Sequence, residues 1–255
     1  MRRLFISLGE IHNGLIRITD ADDVFYLSTV LRLRRGDGLY VSDGISKAYE
    51  TRIAEVGRKE ISLEVLEEKP IQDSGKVRIS LYQGLPKGSK MDEIVRKTTE
   101  LGVSRIVPVV MLRSVPSHDD GVSSGKLGRW RRIAEEAARQ SRLIYVPEVS
   151  SVVRFSEAVE SLKGEEYDVA LVLYELEEGD TLKSVLQAEK GFQLRKEGRP
   201  SSVAIFIGPE GGFEREEINA LLEAGAKTVT IGETILRTET AGPAAIAMTM
   251  YELEL

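Results

Sequence analysis

The chain has 255 residues, 42% hydrophobic and 30% charged, with no cysteine and only two histidines, His12 and His118. This excludes a disordered chain, a disulfide framework and thiolate chemistry, and it leaves a histidine-based triad two candidates. The net charge of −6 is unevenly spread: residues 75–145 carry 14 basic against 7 acidic side chains, and residues 146–255 carry 10 against 21. A basic middle third inside an acidic protein reads either as a phosphate-contacting face or as a solvated helix face. No run approaches ~20 apolar residues, so no membrane-spanning helix is expected. The start, residues 1–10, is too soon polar for a signal peptide. A cytoplasmic protein without a metal site is the default expectation.

Residues 1–66 read mostly as short strands. Asp43-Gly44 is a two-residue hairpin signal, and Tyr49, Thr51 and Ile53, then Ile61, Leu63 and Val65, alternate with polar neighbours. One helix is inserted. Asp20 caps it, Asp22 and Asp23 suit its first turn, and Val24, Leu27, Val30 and Leu31 line one face. A small β-barrel or sandwich follows. Residues 67–75, polar with Pro70 and Gly75, form the best linker in the chain. The domains expected are therefore residues 1–72 and 73–255.

From residue 76 strands and helices alternate, which predicts an α/β domain with a largely parallel sheet. Strands are expected at Val77–Tyr82, Arg105–Val110, Asp168–Leu173, Val203–Ile207 and Thr228–Ile231. Helices are expected from about Ser89 to Leu101, over Gly128–Arg142 and Glu214–Glu223, and over Pro243–Tyr251 with proline in the first turn. On the first of these Met91, Ile94, Val95, Thr98 and Leu101 form a stripe, and on the second Trp130, Ile133, Ala134, Ala137 and Ser141 face inward. Residues 190–201 read as a loop.

Gly208-Pro209-Glu210-Gly211-Gly212 joins a strand to a helix, the place where open α/β sheets bind ligands. It has neither the lysine and serine or threonine of a P-loop nor a dinucleotide fingerprint. Glu210, Glu214, Glu216 and Glu217 crowd the helix start and would repel phosphate, so a neutral or cationic ligand fits better. Read alone, the same residues also make a tight turn with a well-capped helix. Residues 229–242 form a second such turn, leading into a helix of small residues. Arg237 and Glu239 lie there on a loop where no core demands them.

Gly208–Phe213 followed by Ile231-Gly232 and Ile235–Ala241 resembles the closing motifs of the RsmE family, the 16S ribosomal RNA uracil-N3 methyltransferases of the SPOUT superfamily. Leu85–Asp92, Lys97–Val103, Arg129-Trp130, Ala137–Ser141 and Pro147–Val149 extend the resemblance. Val30–Asp37 and Asp43-Gly44 look like the family's PUA-like RNA-binding module. Three places depart from the family pattern: Tyr26-Leu27 where a histidine is usual, Arg139 where an acid is common, and Leu143 where an arginine is common.

The resemblance implies a trefoil-knotted SPOUT α/β domain behind a PUA-like β-barrel domain. It implies S-adenosylmethionine as cofactor, 16S rRNA or the small ribosomal subunit as partner, and a homodimer formed near the last helix. On that reading, strand-end groups at Leu173, Tyr174, Gly208, Pro209, Glu210, Gly211, Gly212, Ile231, Gly232, Leu236, Arg237, Thr238 and Ala241 hold the cofactor. Uracil N3 carries a proton, so a base or a stabilising cation is needed. Arg237 would orient the uracil and stabilise its anion, with Glu239 and Glu210 as weaker proton acceptors; an Arg237–Glu239 pair could instead merely fix the loop. Arg32, Arg34, Arg35, Lys87, Lys90, Arg139 and Arg142 are the expected RNA contacts. Another SPOUT specificity and a non-catalytic assembly factor are the alternatives.

Overall fold

Alternating apolar residues before position 70, and continuous apolar strands after it, produce two different sheets. The computed structural model describes residues 2–5, 11–12, 14–44, 47–70, 77–114, 124–141, 143–164, 167–177, 179–193 and 201–254. The chain divides into one unit of Met1–Ser74 with Glu135–Val146 and a second of Gly75–Ala134 with Pro147–Leu255.

The first unit holds strands β1 (Arg2–Phe5), β2 (Ile11–His12), β3 (Leu15–Ile18), β4 (Gly38–Ser42), β5 (Lys47–Val56) and β6 (Ile61–Pro70). Their order is β1-β4-β5-β6-β3-β2, with β1 parallel to β4 and the other pairs antiparallel. Ile16, Ile18, Leu39, Val41, Ile53, Ile61 and Leu63 project from one face into a core closed by Val24 and Leu27. Each fully buried aliphatic side chain contributes about 1.5–3 kcal/mol. Those last two residues lie on helix α1 (Ala21–Phe25) and the π-helical turn Tyr26–Val30 that continues it. Asp20 caps α1 by accepting from the N–H groups of Asp22 and Asp23.

Three expectations are corrected here. Val30 is 55% exposed, because the π turn, closed by Leu31 N–H to the Tyr26 carbonyl, has a wider period than 3.6 residues. Ser42 pairs with Ala48, so the connection at Asp43 is longer than two residues. Residues 67–70, read as linker, continue β6, where cross-strand ion pairs replace apolar contacts: Lys47 to Glu68 at 2.7 Å and Lys69 to Glu50 at 3.9 Å. The rest of the expected linker lies outside the described residues. A segment distant in sequence completes this unit. The Ser42 hydroxyl donates to the Ile144 carbonyl, and the Val146 N–H donates to the Gly44 carbonyl at 2.7 Å.

The second unit contains β7 (Val77–Gly84), α2 (Lys90–Glu100), β8 (Arg105–Val110), the part of α3 (Ser124–Gln140) up to Ala134, β9 (Glu148–Val149), β10 (Val153–Arg154) and α4 (Phe155–Gly164). It continues with β11 (Val169–Leu173), α5 (Leu182–Gln193), β12 (Ser201–Ile207), α6 (Arg215–Glu223), β13 (Lys227–Val229) and α7 (Thr238–Glu254). The all-parallel sheet has the order β10-β8-β7-β12-β11-β13, with β9 also on β8. Phe206 at its centre stacks on Tyr82, ring centroids 4.3 Å apart. The Tyr82 hydroxyl is paired with those of Ser161 and Tyr167.

Here too the element limits shift. The third helix starts at Ser124, four residues earlier than expected, and leaves Ser141 exposed. Leu101, which caps the end of α2, is 37% exposed. The helices α4 and α5 have no counterpart among the expected elements, and α5 takes residues 190–193 from the expected loop. The last helix begins at Thr238 rather than Pro243. The proline lies inside it and removes only the bond to the Glu239 carbonyl.

Candidate active site

The central parallel strands end together on one edge of the sheet, and the loops leaving β11 and β12, with the segment before α7, enclose a cavity of about 420 Å³. Gly208, Pro209, Glu210, Gly211 and Gly212 form one wall; Leu236, Arg237, Thr238 and Ala241 form another; Leu173 supplies the floor with Ile207. An adjoining cleft of about 100 Å³ shares Leu173, Leu236 and Ala241 and adds Tyr174, Ile231 and Gly232. Every residue expected at the cofactor therefore borders one of two adjoining spaces. Lys90, Glu175, Phe213 and Ile235 also line the larger space and were not expected there. Glu175 had a readable signal, since it lies two residues past the end of β11.

Close packing shapes the glycine loop. A side chain at Gly84 would lie 2.6 Å from the Pro209 ring, so the glycine lets the loop cross the end of β7. Gly212 has φ +71°, and a Cβ there would lie 2.7 Å from a Glu175 oxygen. Arg113 clamps the outside of the loop. Its Nη1 donates to the Gly211 carbonyl at 2.6 Å and its Nε to Glu214 at 2.7 Å. Glu214 is held below the ordinary carboxylate range by that hydrogen bond. Glu217 is buried and accepts from the N–H groups of Leu112 and Glu214, both at 2.9 Å.

Inside the loop, Gln83 is fully buried at the end of β7. Its Nε2 donates to the Thr238 hydroxyl at 2.9 Å, and that hydroxyl donates to the Gly208 carbonyl at 2.7 Å. A polar chain thus ties the glycine loop to the first residue of α7.

The charged residues divide into committed and free. The Lys90 ammonium lies 2.9 Å from Glu210 and 3.6 Å from Glu239. Its hydrogen bond to Glu210 raises its pKa against the opposing effect of burial. Burial pushes Glu210 up, but Lys90 and two backbone hydrogen bonds, including the Lys87 N–H, bring it below the usual range. Glu239 is 13% exposed and lies beside Lys90 rather than in the cavity lining; its Oε2 is buried without a hydrogen bond. Arg237 is exposed and lines the cavity. The ion partner found for Glu239 is Lys90, so the loop-fixing Arg237–Glu239 pair is not the arrangement present.

The expected RNA contacts are divided between the two units. Arg32, Arg34 and Arg35 are exposed together after the π turn, Arg32 at φ +52°. Lys87 is exposed, whereas Lys90 sits in the cavity wall. Arg139 is only 29% exposed and faces Asp20 at 3.9 Å and Glu135 at 3.8 Å, inside the first unit. Arg142 and His118 lie outside the described residues, as does the side chain of His12. Among the described residues no group of acids or histidines could hold a metal ion, and no helix is long and apolar enough to cross a membrane.

A ligand cavity at the carboxyl ends of a parallel sheet defines the second unit as the one that carries the site. Residues 73–250 match the model of the RNA methyltransferase domain, and residues 18–66 that of the RNA methyltransferase PUA domain. The chain is 31% identical to ribosomal RNA small subunit methyltransferase E of Bacillus subtilis, over 100% of this chain and 98% of that one. It is 33% identical to that of Aquifex aeolicus, over 97% and 93%. Among solved structures, the Neisseria gonorrhoeae ribosomal RNA small subunit methyltransferase E bound to S-adenosyl methionine matches with TM-score 0.67 and 27% identity, over 98% and 97% of the two chains. The chain is thus an α/β RNA methyltransferase with an N-terminal PUA-like domain. It belongs to the ribosomal RNA small subunit methyltransferase E family.

Proposed function

We propose that this chain methylates N3 of a uridine in 16S ribosomal RNA, using S-adenosylmethionine. The observation that carries the reading is the cavity at the sheet edge, bounded by the two glycine turns, with Arg237 at its wall. Its volume of about 420 Å³ lies within the roughly 300–1,000 Å³ of small-molecule sites. The acids that border it, Glu175 and Glu210, suit a cationic sulfonium and ammonium. The residues present therefore fit the cofactor. When bound, it supplies an electrophilic methyl group.

The protein's own residues do the remaining work. Leu173, Gly208, Ile231 and Leu236 would hold the cofactor by close backbone approach, with Pro209, Gly211, Gly212, Gly232, Thr238 and Ala241 shaping the walls and Tyr174 bordering the cleft. Orientation is the main lever in an in-line displacement. Arg237 would orient the uracil and stabilise negative charge at its carbonyls. Glu210 and Glu239 would serve as charge partners at the site before they served as proton acceptors, because Glu210 is already held ionised by Lys90 and Lys87.

Residues 1–72 would form the RNA-binding domain and residues 73–255 the catalytic one, threaded as the family's trefoil knot. Arg32, Arg34 and Arg35 would meet the RNA backbone from the first domain, and Lys87 from the second. We also infer a homodimer. An apolar groove of about 490 Å³ between α5 and α7, lined by Leu182, Leu186, Ala247, Met248 and Tyr251, suits a second copy near the last helix. The setting would be the cytoplasm, where small subunits are built.

The test is methyl transfer from labelled S-adenosylmethionine to undermodified small ribosomal subunits, read by nucleoside mass spectrometry. N3-methyluridine is the expected product. A different methylated nucleoside would assign another specificity within the fold, and absence of cofactor binding would favour an assembly factor.

A further inference from the structure

We propose that Lys90 is a catalytic residue: its ammonium, held by Glu210 and Glu239, donates a hydrogen bond to a carbonyl oxygen of the target uracil and stabilises the N3 anion. The inference rests on the uridine-N3 reading above.

Four observations lead here. Lys90 and Arg237 are the two cations among the described residues that line the cavity. Lys90 is the first residue of α2, where the helix dipole disfavours a cation. Two carboxylates from distant segments hold it there nonetheless: Glu210, in the loop after β12, at 2.9 Å and Glu239, in the first turn of α7, at 3.6 Å. Each carboxylate is poorly placed as a base. Glu210 already accepts from Lys90 and from the Lys87 N–H, and the buried Oε2 of Glu239 faces the Lys90 ammonium at 3.6 Å. Of the three residues of this cluster, Lys90 and Glu210 line the cavity, and Lys90 is the one that carries hydrogen-bond donors.

The arrangement differs from Arg237 in one respect. Arg237 is exposed and can follow the RNA, whereas Lys90 is fixed before substrate arrives. A fixed charge costs no reorganisation when charge develops on the substrate. Deprotonation leaves the bonding pair on N3 and passes the proton to water. Negative charge then spreads to the two flanking carbonyl oxygens, one of which meets Lys90. The N3 pair forms the bond to the methyl carbon, and the carbon–sulfur pair goes to sulfur. Lys90 keeps its proton throughout. The ammonium therefore acts on the acidity of N3 and not on the cofactor.

That distinction supplies the experiment. Lys90→Met and Lys90→Arg are assayed on small subunits reconstituted with 16S RNA containing either uridine or 5-fluorouridine. Fluorine at C5 makes N3 more acidic without any help from the protein. On uridine, Lys90→Met is expected to lower kcat about 10²- to 10³-fold, as loss of one charge-stabilising donor does. Cofactor affinity, measured by calorimetry, should stay within twofold of wild type. On 5-fluorouridine the deficit should shrink at least tenfold, and Lys90→Arg should retain part of the activity on both. An equal deficit on both RNAs would overturn the proposal, as would loss of cofactor binding along with activity. A defect confined to KM for RNA, with a flatter salt dependence, would assign Lys90 to a phosphate instead. Wild type that yields no N3-methyluridine sinks the functional reading and this one with it. Wild type that does, with Lys90→Met unimpaired, sinks this one alone.

Discussion

The Thr238 hydroxyl donates a 2.7 Å hydrogen bond to the carbonyl of Gly208, joining the first residue of the last helix to the first residue of the glycine turn. Gln83, buried at the end of a central strand, donates to the same hydroxyl and fixes its direction. Thr238→Val keeps the shape and removes the donor. It should leave the Gly208 carbonyl and one N–H of the Gln83 amide without these partners, at a cost of about 1–3 kcal/mol. We expect cofactor affinity by calorimetry to fall about tenfold, and Thr238→Ser to restore it. Wild-type affinity in the valine variant would contradict the link.

Arg237 lines the same cavity, on a wall formed with Thr238. Arg237→Ala should therefore lower kcat about 10²- to 10³-fold while cofactor binding is kept. Retained turnover would remove Arg237 from the chemistry.

The cluster after the π turn allows a charge test. Replacing Arg32, Arg34 and Arg35 together by glutamate should weaken RNA binding. It should also lower the slope of log affinity against log salt by about two, at roughly 0.7 per lost contact on single strands. An unchanged slope would mean that the cluster does not meet the RNA backbone.

Asp23 gives the first unit a pH dependence. Burial pushes its carboxyl up; Arg139 pulls it down, and Asp20 and Asp22 push it up further. With the folded value above the unfolded one, the folded state binds the extra proton, so this group's contribution to stability is full below about pH 4 and is lost as pH rises through the folded pKa. Asp23→Asn removes that loss. Its melting temperature relative to wild type should be higher at pH 7 than at pH 4, and the reverse order would refute the argument.

The groove between α5 and α7 can be tested by mass. Met248→Glu with Tyr251→Glu places two charges on an exposed apolar surface, since these side chains are 39% and 69% exposed in one chain. Sedimentation should show wild-type dimers and variant monomers. Monomeric wild type would end the dimer proposal.

Much of the site was legible because its signals are local. Gly208–Gly212 and Ile231–Ala241 mark strand ends whatever the rest of the chain does, and Met91, Ile94 and Val95 announce their helix face by spacing alone. The misses come from interactions that spacing does not encode. Val30 turned outward because one helical turn is wider than the rest. Glu67–Pro70 joined a strand because lysines oppose the acids across it. Lys90 looked like a surface cation because both its carboxylate partners lie far away in sequence. Strand order and threading are similarly non-local, and general topology rules treat knots as essentially absent.

Residues Glu135–Val146 cluster with the first unit, whose other part is Met1–Ser74. The Ser42 hydroxyl and the Gly44 carbonyl both find their partners in this late segment. A gene fragment ending at residue 74 would therefore encode an incomplete fold, with the Ser42 hydroxyl and the Gly44 carbonyl left without these partners. The PUA-like module is contiguous in space but not along the message. It could be grafted to another protein only by carrying two separate stretches of coding sequence, and during synthesis it cannot finish folding until the ribosome has translated Gly75–Ala134 of its neighbour.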